Sequence, residues 1–218
     1  MDAIVATCFS HPAVPLAIAC WFPSLRRPSL LIASALLSAA PDLDAIGYFA
    51  GVPYESWCGH RGCTHSIGFA LLASAAVTPW LARRTGVPSA RVAAFLFAAW
   101  LSHGLVDMAT NGGLGIALMW PLSDDRMFWP VQPIEVAPLG IRAFVSKWGL
   151  EVLASELVWL WLPAVAVGAL GLWLRRAPLL AVAGARLQRG DAADDSHRRL
   201  TPRSNSRTAG RREPDRAR

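Results

Sequence analysis

The stretch GHRGCTHSIGFALLASAAVTPW, residues 59–80, sets two imidazoles, a guanidinium and two hydroxyls immediately ahead of an apolar run that carries no charge. Apolar stretches of this kind exclude ionisable groups, because each costs on the order of 2.5–3.5 kcal/mol at the centre of a membrane helix even on a lenient insertion scale. The chain repeats the arrangement twice: PDLD (Pro41–Asp44) interrupts a second apolar stretch, and SHGLVD (Ser102–Asp107) closes a third. Metal-ligating side chains are therefore concentrated where apolar segments meet their flanks. A cation is the natural way to stabilise them there.

Working outward, apolar stretches run at 3–23, 29–52, 65–82, 91–109 and 150–174, each close to the roughly 17–25 residues that a spanning helix needs. Together with 54% hydrophobic residues, ten Trp and a mean hydropathy of +0.36, they predict an all-α polytopic membrane protein with five transmembrane helices. Gly113–Pro121 is apolar but too short to span, and reads as a re-entrant or interfacial segment inside the long loop 110–149. Such a loop is expected to carry function.

The arginines orient the chain. Arg26 and Arg27 follow the first stretch, Arg83, Arg84 and Arg91 separate the third from the fourth, and Arg175 and Arg176 follow the fifth. The positive-inside rule makes these cytoplasmic, so the N-terminus is outside and the C-terminus inside. The first basic residue comes after the first apolar run, which therefore reads as an uncleaved span. All three motifs then fall on the outer side. His11 joins them if the first helix begins near Pro12, or lies at depth if that helix spans from Ala3.

Residues 1–182 form the expected membrane-embedded domain. Residues 183–218 hold ten Arg against five Asp or Glu and almost no apolar side chain, so most of the net charge of +6 resides there. This composition predicts a disordered basic cytoplasmic tail that contacts anionic membrane lipids, at roughly 1 kcal/mol per Arg near the surface. No recognition motif supports nucleic-acid binding. Cys8 and Cys20 read as small buried hydrophobes, and Cys58 and Cys63 bracket His60, where a disulfide, a thiolate ligand or neither is open.

The motifs carry the chemistry. His103 and Asp107 stand four apart and share one helical face, close enough to hold one ion, although an interhelical hydrogen-bonded pair would use the same spacing. Asp42 and Asp44, two apart, would diverge on a regular helix, but Pro41 disturbs the backbone and can turn both inward. Two neighbouring carboxylates call for a divalent cation or a proton, unless one simply caps the following helix. In HRGCTHS, His60 and His65 suit a transition metal, and Asp42, Asp44 and Asp107 add the oxygen ligands that two-metal hydrolases use. Arg61 is the natural clamp for an anionic phosphate oxygen. Thr64 and Ser66 offer support to those ligands or a helix cap, and at least one is expected to cap. In MWPLSDDRMFWP, Trp120, Phe128 and Trp129 read as interfacial aromatics, with Arg126 as a second headgroup contact. Nothing in the spacing of Asn111 or Glu135 requires them in the site.

At His11, PDLD, GHRGCTHS, LSHGLVDMATNGG and MWPLSDDR, over residues 10–135, the chain resembles the LexA-regulated, membrane-bound metal-dependent hydrolase family typified by the inner-membrane protein YdjM. The match is most specific in HRGxTHS and SHxxxD. It departs in TNGG, which replaces a Thr-Pro-containing turn, and in the greater distance of His11 from the N-terminus. The resemblance implies a multi-pass protein of the bacterial inner membrane that binds a divalent metal through the His and Asp of these motifs.

The expected function is hydrolysis of a lipid-linked or periplasmic phosphoester by metal-activated water. One or two ions (Zn, Mn or Mg) would be held among His11, Asp42, Asp44, His60, His65, His103 and Asp107. Arg61, Asp44 and His60 are the expected catalytic groups, and Arg61 and Arg126 the substrate contacts. The alternatives are a divalent-cation transporter and a membrane regulator that keeps the metal for structure.

Overall fold

The computed structural model of the chain describes residues 4, 5, 8–138 and 145–176. Five helical segments account for most of them. The first, α1 (Ala13–Trp21), begins directly after Pro12, where the missing amide is no loss, and ends before Phe22 and Pro23. Next, α2 (Pro28–Ala39) opens on another proline and runs through a 3-10 turn, Ala40–Asp44, into α3 (Ala45–Phe49). The third segment is α4 (Ile67–Thr85). It is followed by α5 (Ser89–Asp107) and by α6 (Lys147–Arg176), whose turn at Leu157–Trp161 is widened to π geometry.

Pro28–Phe49, Ser89–Asp107 and Lys147–Arg176 are long and apolar enough to cross a membrane. The first segment departs from the expected span over 3–23, since its helix has only 9 residues; the sequence alternative in which it starts near Pro12 is the one observed. Outside the helices, Ile4–Val5 pairs antiparallel with Ala137–Pro138. The expected tail boundary at 182/183 lies outside the described residues.

Three helices share one design. On α5, Val92, Leu96 and Ala99 are buried, and the same stripe continues into His103 and Asp107, as the helical period requires. On α2 the stripe is Leu30, Ser34, Ser38, and one turn further it reaches Asp42. On α4 it is Ala70, Ser74, Thr78, Leu81. The hydroxyls of Ser34, Ser38, Ser74 and Thr78 bond back to carbonyls of their own helices, so these small residues let backbones approach closely without an unmet polar group.

The stripes make the two ends of the bundle different. At one end Leu25, Leu30, Leu81, Val92, Phe95 and Leu96 form an apolar core. Arg91 bonds Ser24 Oγ at 3.1 Å there, Arg83 and Arg84 close α4, and Arg175 stacks over Phe22. At the other end the three motifs meet. Side chains such as Ile32, Leu36, Leu72, Leu150 and Val165 point outward. With only 17% of its apolar window buried in the protein, α6 is suited to face lipid. It is tied to the motif end by Ser10, which donates to Glu156 Oε2 at 2.7 Å and accepts from Trp161 Nε1 at 3.1 Å.

The segment Gly113–Pro121, expected to be re-entrant or interfacial, folds back against the motif end. Ile116, Ala117 and Leu118 are buried, Ala117 N donates to Arg61 O, and Leu118 O accepts from Ile67 N.

Candidate metal centre

Four side chains converge at that end. His65 leaves a short 3-10 turn, Cys63–His65, just before Ser66 caps α4 by accepting from Phe69 N at 3.0 Å. The capping role expected of Thr64 or Ser66 thus falls to Ser66. Asp42 projects from the 3-10 turn after α2, and His103 and Asp107 from the last turns of α5. One ligand atom from each of Asp42, His65, His103 and Asp107 lies within 4.8 Å of all the others.

The individual separations are informative. His103 Nε2 lies 3.0 Å from His65 Nε2 and 3.3 Å from Asp42 Oδ1. His65 Nε2 lies 3.8 Å from Asp42 Oδ1, and both Nε2 atoms lie 3.6 Å from Asp107 Oδ2. Four ligands placed tetrahedrally at about 2.1 Å from one ion would be about 3.4 Å apart. Five of the six edges scatter around that value and the sixth, between Asp42 and Asp107, stays within 4.8 Å, so these residues could hold a single four-coordinate cation.

The rear nitrogens of both imidazoles are fixed. His103 Nδ1 donates to Ser38 O at 2.8 Å, and His65 Nδ1 faces Asp44 Oδ2 at 3.2 Å and Thr64 Oγ1 at 3.0 Å. Because carbonyl and carboxylate oxygens only accept, both Nδ1 atoms carry hydrogen and both Nε2 atoms turn into the cluster, where each offers a lone pair once its ring is neutral, as a metal ligand requires. Burial opposes a charged imidazole at His65, yet the Asp42 and Asp44 carboxylates on its two sides outweigh it and raise its pKa to about 9. His11 is stacked on His103 with centroids 3.7 Å apart. Burial, reinforced by His103, lowers its pKa to about 3 and keeps it neutral.

The remaining expected residues divide. Asp44 sits behind the imidazoles: Oδ1 accepts from His60 Nδ1 at 2.5 Å, and Oδ2 accepts from Thr64 Oγ1 at 2.6 Å and from Arg61 N at 3.2 Å. Its place is orienting two histidines, and it lies outside the four-ligand set. His60 is buried beside that set with Nε2 free of any hydrogen bond. His11 Nε2 comes within 3.6 Å of Asp107 Oδ1, the oxygen turned away from the other ligands.

Arg61 is fully buried and takes a left-handed backbone, φ 64°, uncommon for a bulky residue and concentrated at functional sites. Its Nη1 donates to Gly112 O at 2.8 Å, and Nε lies 3.4 Å from Asp107 Oδ2. Gly62 lets the chain turn here, since a Cβ would run into the Trp57 and Gly59 carbonyls.

Arg126, expected to contact substrate, commits three of its five N–H donors to the backbone. Its guanidinium donates to the carbonyls of His60, Tyr54 and Ser56 at 2.9–3.1 Å, pinning the loop that carries HRGCTHS. Asn111 Oδ1 accepts from Val136 N and shapes a turn. Cys58 and Cys63 are free thiols outside the ligand set. Trp57 stacks on Trp120 with rings 5.8 Å apart.

Electrostatics and hydrogen bonding agree on what is missing. Among the described residues the buried side-chain atoms without a hydrogen-bond partner gather here: both oxygens of Asp42 and of Asp107, both nitrogens of His11, His60 Nε2, Arg61 Nε and Nη2, and the Tyr54 hydroxyl. Unmet buried polar groups are costly. With the histidines neutral, as metal ligands must be, three carboxylates against one guanidinium leave two negative charges, which a divalent cation would balance.

The fold and cluster together define a helical, multi-pass membrane protein with a buried His/Asp site that could hold a metal ion. The chain belongs to the YdjM inner membrane protein family, whose model matches residues 6–178. It is 39% identical over 175 residues to inner membrane protein YbcI of Escherichia coli (strain K12), covering 78% of this chain and 99% of that protein. No solved structure matches.

Tyr54, whose ring lies edge-on to His60 with centroids 5.3 Å apart, was not singled out in the sequence; its one signal was position, six residues before His60 in the same loop.

Proposed function

We propose that the protein is a membrane-bound metal-dependent hydrolase acting on a phosphoester. The observation that carries this reading is the joining of a near-tetrahedral His65, His103, Asp42, Asp107 set to a buried guanidinium only 3.4 Å from one of its oxygens. A divalent cation bound there supplies Lewis acidity and brings the pKa of a water ligand from about 15.7 towards 7.

The chain's own groups have separable tasks. Asp44 holds His60 with Nδ1 protonated, which leaves Nε2 as a proton acceptor in the orientation that a carboxylate imposes on a general base. Arg61 keeps Nη2 without a hydrogen-bond partner and holds Nε against Asp107 Oδ2 at 3.4 Å; the two are parallel donors of the kind that matches phosphoryl oxygens. Such preorganised donors favour charge that grows in the transition state. A structural site needs neither the free base nor the buried fork.

The arginines of the opposite end favour the cytoplasm for that end by the positive-inside rule, which supports a site on the outer side, where a lipid-linked or periplasmic substrate would reach it. A cation pathway is disfavoured by the fixed charge of Arg61 against the cluster, since it would repel a passing ion.

The test uses purified protein in detergent with Zn, Mn or Mg and aryl phosphodiester and phosphomonoester substrates. Arg61→Lys should retain metal and lose turnover by about a hundredfold or more. Full turnover in Arg61→Lys removes the guanidinium from catalysis, and flux of labelled ion into sealed vesicles above protein-free controls would favour transport.

A further inference from the structure

The arginine end of the bundle carries an unbalanced charge. Residues 12–41, 67–106 and 157–176 contain no Asp or Glu, so the guanidinium groups gathered there meet no carboxylate from those stretches. Two of them flank one ring. Arg175, near the end of α6, lies over Phe22 with its guanidinium carbon 5.8 Å from the ring centroid. Arg91, in the first turn of α5, spends one of its five N–H donors on Ser24 Oγ at 3.1 Å. It lines an open-sided cavity of about 200 Å³ together with Phe22, Ile18, Phe95 and Ala98.

Phe22 and Ile18 also line a second cavity, of about 390 Å³, which continues between α1 and α6 past Ala17 and Val14. The two therefore join into one apolar furrow that follows α1 for roughly 12 Å of helix rise from Phe22 to Val14. Trp21 Nε1 donates to Val167 O at 3.1 Å and fixes α1 against α6 beside it. Arg91 and Arg175 stand at one end of two segments long and apolar enough to cross a membrane, Ser89–Asp107 and Lys147–Arg176. Lipid headgroups meet a spanning helix at that level.

An occupant of the furrow must be apolar along its length and anionic at its head. A second copy of the chain would bring the same arginines, and residues 183–218 are themselves basic, with ten Arg against five Asp or Glu. A phospholipid with a net negative headgroup meets both requirements. The leucine core beneath is closed by its own side chains, so the lipid would cover an outer face and fill no core.

We propose that this furrow binds an anionic phospholipid: Arg91 and Arg175 share its phosphate, and an acyl chain lies along α1 over Phe22, Ile18 and Ala17. Guanidinium forks suit the task because each can offer two parallel donors to phosphate oxygens. The inference concerns the end of the bundle opposite the metal cluster and is independent of the hydrolase reading.

The test uses full-length protein in a neutral detergent, with phosphatidylglycerol and phosphatidylcholine of equal chain length as probes. Native mass spectrometry counts the bound lipids and gives their affinities. One phosphatidylglycerol per chain should be retained, and phosphatidylcholine should be lost. Arg91→Gln and Arg175→Gln should each weaken the retained lipid about tenfold to a hundredfold. Arg83→Gln removes the same charge from the last turn of α4, outside the furrow, and should leave affinity unchanged. Ala94→Trp sets a ring in the furrow wall without altering charge and should weaken binding as well. All four positions are exposed, so the variants keep the fold. Equal retention of the two lipids, or equal weakening in Arg83→Gln and Arg91→Gln, would reduce the effect to bulk charge and overturn the proposal. Displacement of the lipid by glycerol phosphate at equal concentration would overturn it too, since no chain would then be held. A lipid-free dimer that Ala94→Trp dissociates would give the furrow to a second copy instead.

Discussion

The two ends of the helix bundle are built from the same three stripes and held together by opposite means. At the arginine end Leu30, Leu81 and Leu96 are fully buried and pack against one another. One turn after another along α2 and α5 the stripe changes from leucine and valine to serine and alanine, and then to Asp42, His103 and Asp107. Dispersion and close packing stabilise the first end without a partner from outside. The second end has polar groups in the same geometric position, and their hydrogen bonds and charges do not close among the described residues. A helix face that starts as packing and finishes as a binding site shows that burial alone does not tell core from site. What tells them apart is whether the buried atoms satisfy one another.

The contrast breaks most sharply at Asp107. Its carboxylate stands within 3.6 Å of His11, His65, His103 and Arg61, so Asp107→Ala removes a ligand and strands a buried guanidinium. Loss of metal and a destabilisation of about 3–5 kcal/mol are expected, read by elemental analysis and thermal unfolding in detergent. At the other end Leu96→Ala should cost about 2–5 kcal/mol through the cavity it opens, with metal content unchanged. If Leu96→Ala also lost the metal, the ends would be one cooperative structure and the comparison would fail.

Asp44 sharpens it next. Asp44→Asn keeps the shape but weakens the hold on His60 and His65, and metal affinity should fall about 10–100-fold, the usual effect of removing an outer partner of a ligand. A direct ligand would cost far more, so loss of all metal in Asp44→Asn would return Asp44 to the ligand set.

The site end should also respond to pH. In the metal-free protein the His65 pKa is raised to about 9 from 6.5. Its contribution to stability is therefore fully present below pH 6.5 and lost as pH rises through 9. A cation must displace that proton, so metal affinity should rise about tenfold per pH unit up to 9 and then level off. Calorimetry in two buffers of different ionisation enthalpy checks it, and a flat profile would mean that His65 binds no ion. The smallest effect belongs to Ser66→Ala, which removes the cap of α4 at a cost of about 1 kcal/mol and should leave the ligands in place.

Much of this was legible in the chain. The apolar stretches marked five helical segments, and the ion-binding set was drawn from motifs whose residue types have no other reason to sit in apolar flanks. The i, i+4 spacing placed His103 and Asp107 correctly because α5 is regular there. PDLD was harder, since a spacing of two gives different directions on an α-helix and on the 3-10 turn that forms; both aspartates face inward, but Asp44 reaches the rear of the imidazoles. The hold of Arg126 on the HRGCTHS loop could not be read beforehand, because its partners are backbone carbonyls, which leave no mark in a sequence. The ring contact of Tyr54 with His60 leaves no spacing signal, because both lie in one irregular loop. The length of α1 was set by two prolines, a local signal outweighed in reading by the apolar composition around it.

The central claim is that the buried His/Asp cluster holds a divalent cation. Elemental analysis of purified wild-type protein beside His103→Ala tests it most directly. Roughly one ion per wild-type chain, as a single four-ligand shell requires, and none in His103→Ala is the expected result. A wild-type protein that is folded, free of metal and unaffected by added Zn, Mn or Mg in its unfolding temperature would contradict the account.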